Sequence, residues 1–444
     1  MSGEQQCFKI LMFPWLAHGH ISPLIGLAKR LIQRNFHLFI CSTPVNLEPF
    51  RESIHDTSLE FVDFQLSTTE LPKTYHTTRN LPTHLIPTLR IAFDESKENF
   101  RSVLKIIKPD ILIYDFVQPW APQVATEEGI SSVAFVPVGA ACASLLAHYV
   151  IHPEMEFPFE SFRFSEIERK FCTIIDFVTN DVSGKDRFLA CFQRSSASFI
   201  LINSSNQIEA NYIGYLSELV KKEVVPIGFL VQELVHESHD DDVFLKWLSK
   251  KNPKSVVFVS FGSEYFLSKK EAEDVALGLE ISGVSFIWFV RFPVGEKMGL
   301  DKVLPQGFLE RVGDRGMIVE GWAPQTKILS HSSVGGFLTH CGWNSILEAM
   351  TYGVPVIGMP MKLEHPMNSR LTVELGIGVE VGRDGDEFTR GEIAKAIKKV
   401  VVEEDGKGME RNHVDELSSE VKRKRDIEMN VVVKKLVQLG RNES

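Results

Sequence analysis

Residues 322–365 read WAPQTKILSHSSVGGFLTHCGWNSILEAMTYGVPVIGMPMKLEH, and the organisation of the chain is read outward from them. Val334–Thr339 is a short apolar run, as a buried strand requires. His340, Cys341, Gly342, Trp343, Asn344 and Ser345 form the turn after it, and Ser345–Tyr352 has helical spacing. A strand–turn–helix of this kind directs unsatisfied backbone N–H groups and a positive dipole end at one spot. Gly342 allows a ligand close to the backbone, while His340, Asn344 and Ser345 add side-chain donors. The combination suits a diphosphate. Trp322 ends a different strand and offers a flat face to a base. Glu348, one helical turn beyond Ser345, can accept both ribose hydroxyls. Glu364 and His365 follow the next strand, Val354–Met359, where they can meet sugar hydroxyls.

The same alternation runs through the rest of the chain. Phe8–Pro14, Phe36–Ser42, Asp110–Tyr114 and Ser132–Pro137 read as strands, with a helix opening at His20 and running to about Gln33. A second series holds Val256–Ser260, Phe286–Arg291, Met317–Glu320, Val334–Thr339 and Val354–Met359. Ser268 and Glu271 have capping-box spacing at the start of a helix. Strands alternating with helices predict parallel sheets of βα units. Residues 66–90 read as a long loop, and 150–190 as variable helices or a lid. Pro226, Gly228 and the acidic run Asp240–Asp242 mark a linker. The expected domains are 1–228, a linker at 229–244, 245–422, and a terminal helix, 423–444, packing back on the first domain. The fold class is α/β, with two doubly wound Rossmann-like domains facing a cleft.

A chain of 444 residues exceeds one ordinary core, and 44% apolar residues suffice for two. The net charge of −10 disfavours nucleic acid and anionic membrane surfaces as partners. The six cysteines are scattered without C-x-x-C spacing, which reads as reduced thiols. No apolar run reaches the roughly 18 residues of a membrane span. The N-terminus lacks the pattern of a secretory signal. These features predict a cytoplasmic protein, monomeric and without stable membrane insertion.

Neither a G-x-S-x-G elbow nor a G-x-G-x-x-G after the first strand is present, which disfavours an α/β-hydrolase and an NAD enzyme. Cys341 follows an apolar strand and reads as a small buried residue rather than a nucleophile. The segment 322–365 as a whole closely resembles the signature box of the plant family 1 UDP-dependent glycosyltransferases, which have the GT-B fold. Trp322, Pro324, Gln325, the run Thr339–Ser345, Glu348, Gly353, Val354, Pro355 and Pro360 all carry it. The resemblance implies that Trp322 stacks on uracil and that the Ala323 backbone pairs with its edge. It implies that Glu348 holds the ribose, and that His340, Asn344, Ser345 and Ser263 hold the diphosphate. Gln325 and Gly342 belong to the same donor set, and Trp343, Glu364 and His365 line the sugar. The UDP-sugar is a co-substrate, so no cofactor and no metal are expected.

Transfer to a hydroxyl calls for a base. His20 follows the first strand in PWLAHGHISP, and Asp115 follows another in ILIYDF. A carboxylate on one imidazole nitrogen fixes the tautomer and stabilises the imidazolium as it forms. His18 competes with His20. The H-x-x-P pattern of the family matches His20–Pro23, which leaves His18 as a neighbour in the acceptor pocket with Phe116, Trp120 and Ala141.

The box of glucosyl-transferring members usually closes in Asp-Gln, whereas this one closes in Glu364-His365. Histidine at this place resembles some rhamnosyl-, galactosyl- and pentosyl-transferring members, so UDP-rhamnose is the expected donor and UDP-glucose the alternative. FPWLAHGHISP, STPVNL, YHTTRNLP and FGSEYFL resemble the branch that extends the sugar of an existing glycoside. That implies a flavonoid or terpenoid glucoside as acceptor, with a 1,6-linkage as the specific expectation. A UDP-sugar epimerase, a phosphorylase and a non-catalytic UDP-sugar-binding protein are the competing classes.

Overall fold

The computed structural model describes residues 7–52, 54, 56–79, 81–164, 166–172, 182–231, 243–263, 265–292, 299–402 and 411–441. The acidic run Asp240–Asp242, and most of the expected linker, lie outside the described residues. The chain divides into two compact units. The first comprises Met1–Met155, Phe177–Leu230 and Arg423–Ser444, and the second Glu156–Asp176 and Val231–Lys422.

The first unit is built on seven strands: β1 (Lys9–Phe13), β2 (His37–Ser42), β3 (Leu59–Asp63), β4 (Ile111–Asp115), β5 (Ser131–Val136), β6 (Phe199–Ile202) and β7 (Glu223–Pro226). They form one sheet in the order β3-β2-β1-β4-β5-β6-β7, with every neighbouring pair parallel. The order reverses between β1 and β4, so the loops leaving their carboxyl ends open a crevice there. The candidate catalytic residues stand at these ends, Asp115 as the last residue of β4 and His20 in the first turn of the helix after β1. The helix after β1 spans His18–Ile32 and starts two residues before the sequence expectation, because the Ala17 carbonyl accepts from both His20 and Ile21 N–H.

The end of the chain belongs to this unit. Within the helix Arg411–Arg441, Met429, Val432 and Leu436 recur at helical spacing and are fully buried in the first unit's core. Beside them, the Glu428 carboxylate accepts from Ser205 Oγ (3.0 Å) and Asn206 N–H (2.8 Å) at the start of the helix Asn206–Val220. A carboxylate there offsets the helix dipole and satisfies an orphan donor.

The second unit repeats the plan with six strands: β8 (Val256–Ser260), β9 (Ser285–Val290), β10 (Gly316–Glu320), β11 (Val334–Thr339), β12 (Val356–Gly358) and β13 (Gly378–Glu380). Their order is β10-β9-β8-β11-β12-β13, again all parallel, and the reversal falls between β8 and β11. The Ser268–Glu271 capping box is present at the helix Lys269–Ser282.

Two expectations are corrected. Residues 156–176 belong to the second unit, not the first. Phe171 lies 3.8 Å under the Arg383 guanidinium, and the turn Glu160–Phe162 packs on the helix His365–Glu374. Residues 66–90 are not one loop: they contain 3-10 turns at Lys73–Tyr75 and Thr83–Leu85, and a helix begins at Ile86. Within 150–190, helices cover Glu166–Phe171 and Val182–Gln193, and residues 173–181 lie outside the described set.

Candidate active site

Asp115 closes β4 and is fully buried. Its Oδ1 accepts from Val117 N–H at 3.2 Å and its Oδ2 from Trp15 N–H at 3.3 Å. His20 Nδ1 is 2.7 Å from Oδ2, and the imidazole keeps 22% of its surface exposed. An ionised carboxylate only accepts, so Nδ1 carries the proton and Nε2 is the basic nitrogen. The backbone donors hold the carboxylate still, and the carboxylate holds the ring. His18 stacks on Phe50 instead, with centroids 5.9 Å apart. The pairing with Asp115 therefore goes to His20.

The other acceptor candidates are interior residues of the first unit. Trp120 is packed among Phe13, Phe93 and Phe100, and its indole N–H donates to Asp94 at 2.8 Å. Phe116 packs on Phe188 and Phe192. The Ala141 N–H donates to the buried Glu209 carboxylate at 2.7 Å. At 6, 4 and 2% exposure, Phe116, Trp120 and Ala141 present little surface to a ligand. His18 is the more open of the four.

In the second unit the turns after β8 and β11 meet. His340 lies against both: a Cβ added at Gly262 would stand 2.4 Å from its Cε1, and one at Gly342 2.5 Å from its Nε2. Only glycine at both positions leaves room for the ring, and Gly262 also has φ +73°. Burial, seconded by the Lys362 charge and opposed by a hydrogen bond to the Ser260 backbone, lowers the His340 pKa to about 4. Gly342 is the N-cap of the helix Trp343–Tyr352, and without a capping side chain it leaves the positive dipole end facing the turn. Cys341 takes a left-handed φ of +69° and its thiol is pushed up by burial, so thiolate chemistry is disfavoured.

Gln325 links two residues of the helix Trp343–Tyr352. Its Nε2 donates to Ser345 Oγ at 3.0 Å and to Glu348 Oε2 at 2.7 Å. Burial raises the Glu348 carboxyl to about 7, against the opposing hydrogen bond from Gln325. Trp322 is 47% exposed, which is unusual for a tryptophan and leaves it able to receive a base. The Ala323 carbonyl accepts from Gln325 N–H at 2.8 Å. Asn344 is half-buried, whereas Trp343 is buried at the first helical position.

Glu364 is the N-cap of the helix that begins at His365. The His365 ring is buried and stands edge-to-face on His340, with centroids 4.6 Å apart. Its Nδ1 accepts from Lys362 N–H at 3.3 Å, so Nε2 bears the proton. Burial first, then His340 and Lys362, keep this imidazole neutral.

Three residues of the site escaped sequence reasoning. Arg291 NH1 donates to the carbonyls of Gly262 and Ser263. Asn368 Nδ2 donates to Cys341 O at 2.9 Å. Lys362 is the cation that lowers both imidazoles. Among the described residues, no cluster of three His, Cys, Asp or Glu side chains is placed to hold a metal. Among them, too, no helix is long and apolar enough to cross a membrane.

Residues 7–230 match the glycosyltransferase N-terminal domain family, and residues 238–423 match the family described as "UDP-glucoronosyl and UDP-glucosyl transferase". The chain belongs to the family 1 UDP-dependent glycosyltransferases. It is 44% identical to a flavanone 7-O-glucoside 2''-O-beta-L-rhamnosyltransferase of Citrus maxima, over 97% of each chain. It is also 44% identical to a beta-D-glucosyl crocetin beta-1,6-glucosyltransferase of Gardenia jasminoides, over 96% of this chain and 98% of the relative. Among solved structures, Phytolacca americana UGT2 complexed with UDP-2fluoro-glucose and pterostilbene superposes with a TM-score of 0.77. It is 26% identical, over 98% of this chain and 100% of that one. The two parallel-sheet units of this transferase are those of the GT-B fold.

Proposed function

We propose that this transferase moves a sugar from a UDP-sugar, UDP-rhamnose before UDP-glucose, to a sugar hydroxyl of a small-molecule glycoside, with inversion at the anomeric carbon. The observation that carries the reading is the 2.7 Å contact between His20 Nδ1 and the buried Asp115 carboxylate. It leaves Nε2 as the base for an acceptor hydroxyl. As Nε2 takes the proton, the acceptor oxygen attacks the anomeric carbon opposite the diphosphate. The bond from that carbon to the β-phosphate oxygen breaks, and UDP departs with the electron pair. Asp115 stabilises the imidazolium that results. In the second unit, N–H groups and the dipole end at Gly342–Ser345 stabilise the leaving diphosphate without a metal.

The preference for rhamnose rests on His365. A glutamine offers a donor and an acceptor, whereas His365, with Nδ1 engaged by Lys362 N–H, offers a single donor at Nε2. A sugar without a 6-hydroxyl asks less of that corner. The Citrus maxima relative is named as a rhamnosyltransferase, and the Gardenia jasminoides relative, a β-1,6-glucosyltransferase, supports the alternative donor and the 1,6-linkage. Both names describe transfer to a glucoside, in line with a flavonoid or terpenoid glucoside as acceptor. We place the enzyme in the cytoplasm as a monomer. A matrix of UDP-sugars against flavonoid and terpenoid glucosides, read by mass spectrometry, tests donor and acceptor together; turnover confined to UDP-glucose would remove the rhamnose assignment.

A further inference from the structure

Arg291 follows the last residue of β9 and touches two parts of the donor site. Its NH1 donates to Ser263 O at 2.6 Å and to Gly262 O at 3.1 Å. Its guanidinium carbon is 5.2 Å from the Trp322 ring centroid and 5.4 Å from that of Phe266. The planar cation thus contacts the exposed indole that the donor reading assigns to the base and holds the turn assigned to the diphosphate.

The consequence for the turn follows from peptide geometry. In a trans peptide the N–H points opposite to the C=O of the same plane. With the Gly262 carbonyl aimed at Arg291, the Ser263 N–H is aimed away from it. The cation therefore holds the negative ends of the turn's dipoles on its own side and leaves a positive end for an anion. Gly262 simultaneously leaves room for the His340 ring. On the other side, a guanidinium against an indole is a cation–π contact, which limits the orientations of a half-exposed ring.

We infer that Arg291 is a positioning residue that couples the base platform Trp322 to the 262–263 turn, so that the base and diphosphate ends of a nucleoside diphosphate bind cooperatively. The inference rests on the donor-site reading above. The test is calorimetric titration of the full-length protein with uridine and with UDP, in wild type, Arg291→Gln, Trp322→Ala and the double variant. Wild type must first bind UDP; a failure there overturns the donor reading itself. Given that binding, Arg291→Gln is expected to weaken UDP at least tenfold. The loss caused by Trp322→Ala should shrink several-fold in the Arg291→Gln background, because the platform has already lost its orientation. Arg291→Lys, which keeps the charge but not the planar guanidinium, restores part of the UDP affinity and little of the coupling to Trp322. It also serves if the glutamine variant does not fold. Fully additive losses, or UDP binding within twofold of wild type in either variant, would overturn the inference, whatever the melting temperature does.

Discussion

His20 Nδ1 and Asp115 Oδ2 lie 2.7 Å apart at the carboxyl ends of β1 and β4, where the first sheet's strand order reverses. This pairing assigns separate tasks to its members. His20→Ala removes the base and should lower turnover by about 10²–10⁴-fold while UDP still binds. Asp115→Asn keeps the shape but no longer favours the imidazolium. It should lower turnover at least about a hundredfold with little change in donor KM. Steady-state kinetics with parallel UDP titrations check both; near-normal turnover in His20→Ala means the base lies elsewhere.

Glu348 supplies a pH signature. Burial raises its carboxyl from 4.5 to about 7. The folded state therefore binds a proton more readily than the unfolded chain. Glu348 contributes stability that is fully present below pH 4.5 and lost as pH rises through about 7. Ribose binding runs the other way, because the ionised form is the better acceptor of two hydroxyls. Uridine carries no titrating phosphate, and its affinity should fall about tenfold from pH 8 to pH 6 for a group of this pKa. Glu348→Gln should bind more weakly and show no such step. His340, at about 4, and His365, held well below the usual imidazole range by burial, stay neutral across that window.

The donor box was readable in the sequence because parallel strands buried on both faces appear as unbroken apolar runs, and β8 and β11 are such runs. β13, with three residues, and β3, with charged residues in LEFVD, carry no comparable signal. The assignment of 156–176 to the second unit depends on tertiary contacts such as Phe171 with Arg383, which no local pattern encodes. Arg291 was missed for a related reason: its partners are backbone carbonyls and ring faces, and neither leaves a motif. His365 was visible as a departure from the usual box, but its tautomer depends on Lys362 N–H and needed the folded turn.

Gly262→Ala tests the slot for His340. The added Cβ would stand 2.4 Å from the imidazole, at a backbone with φ +73°. The ring must shift, and UDP affinity should drop about tenfold. Gly283→Ala is the matched control, since its φ is +72° and nothing lies within 4 Å. It should cost roughly 1–2 kcal/mol of stability from the left-handed backbone alone and leave UDP binding unchanged. Equal UDP affinities in the two variants would contradict the slot.

His365→Gln restores an amide acceptor at the proposed sugar corner. The ratio of turnover with UDP-rhamnose to turnover with UDP-glucose should shift toward glucose by several-fold. Competition assays with both donors in one tube measure that ratio directly, and an unchanged value would remove His365 from donor selection.

The proposed reaction is inverting transfer of a sugar from a UDP-sugar to the sugar of a glycoside. It is tested most directly by incubating the protein with UDP-rhamnose and a flavonoid glucoside and solving the product by NMR. The expected product is a disaccharide conjugate, the new sugar joined to the first one with its anomeric configuration inverted relative to the donor. A product glycosylated on the aglycone, or one that keeps the donor's configuration, would contradict it.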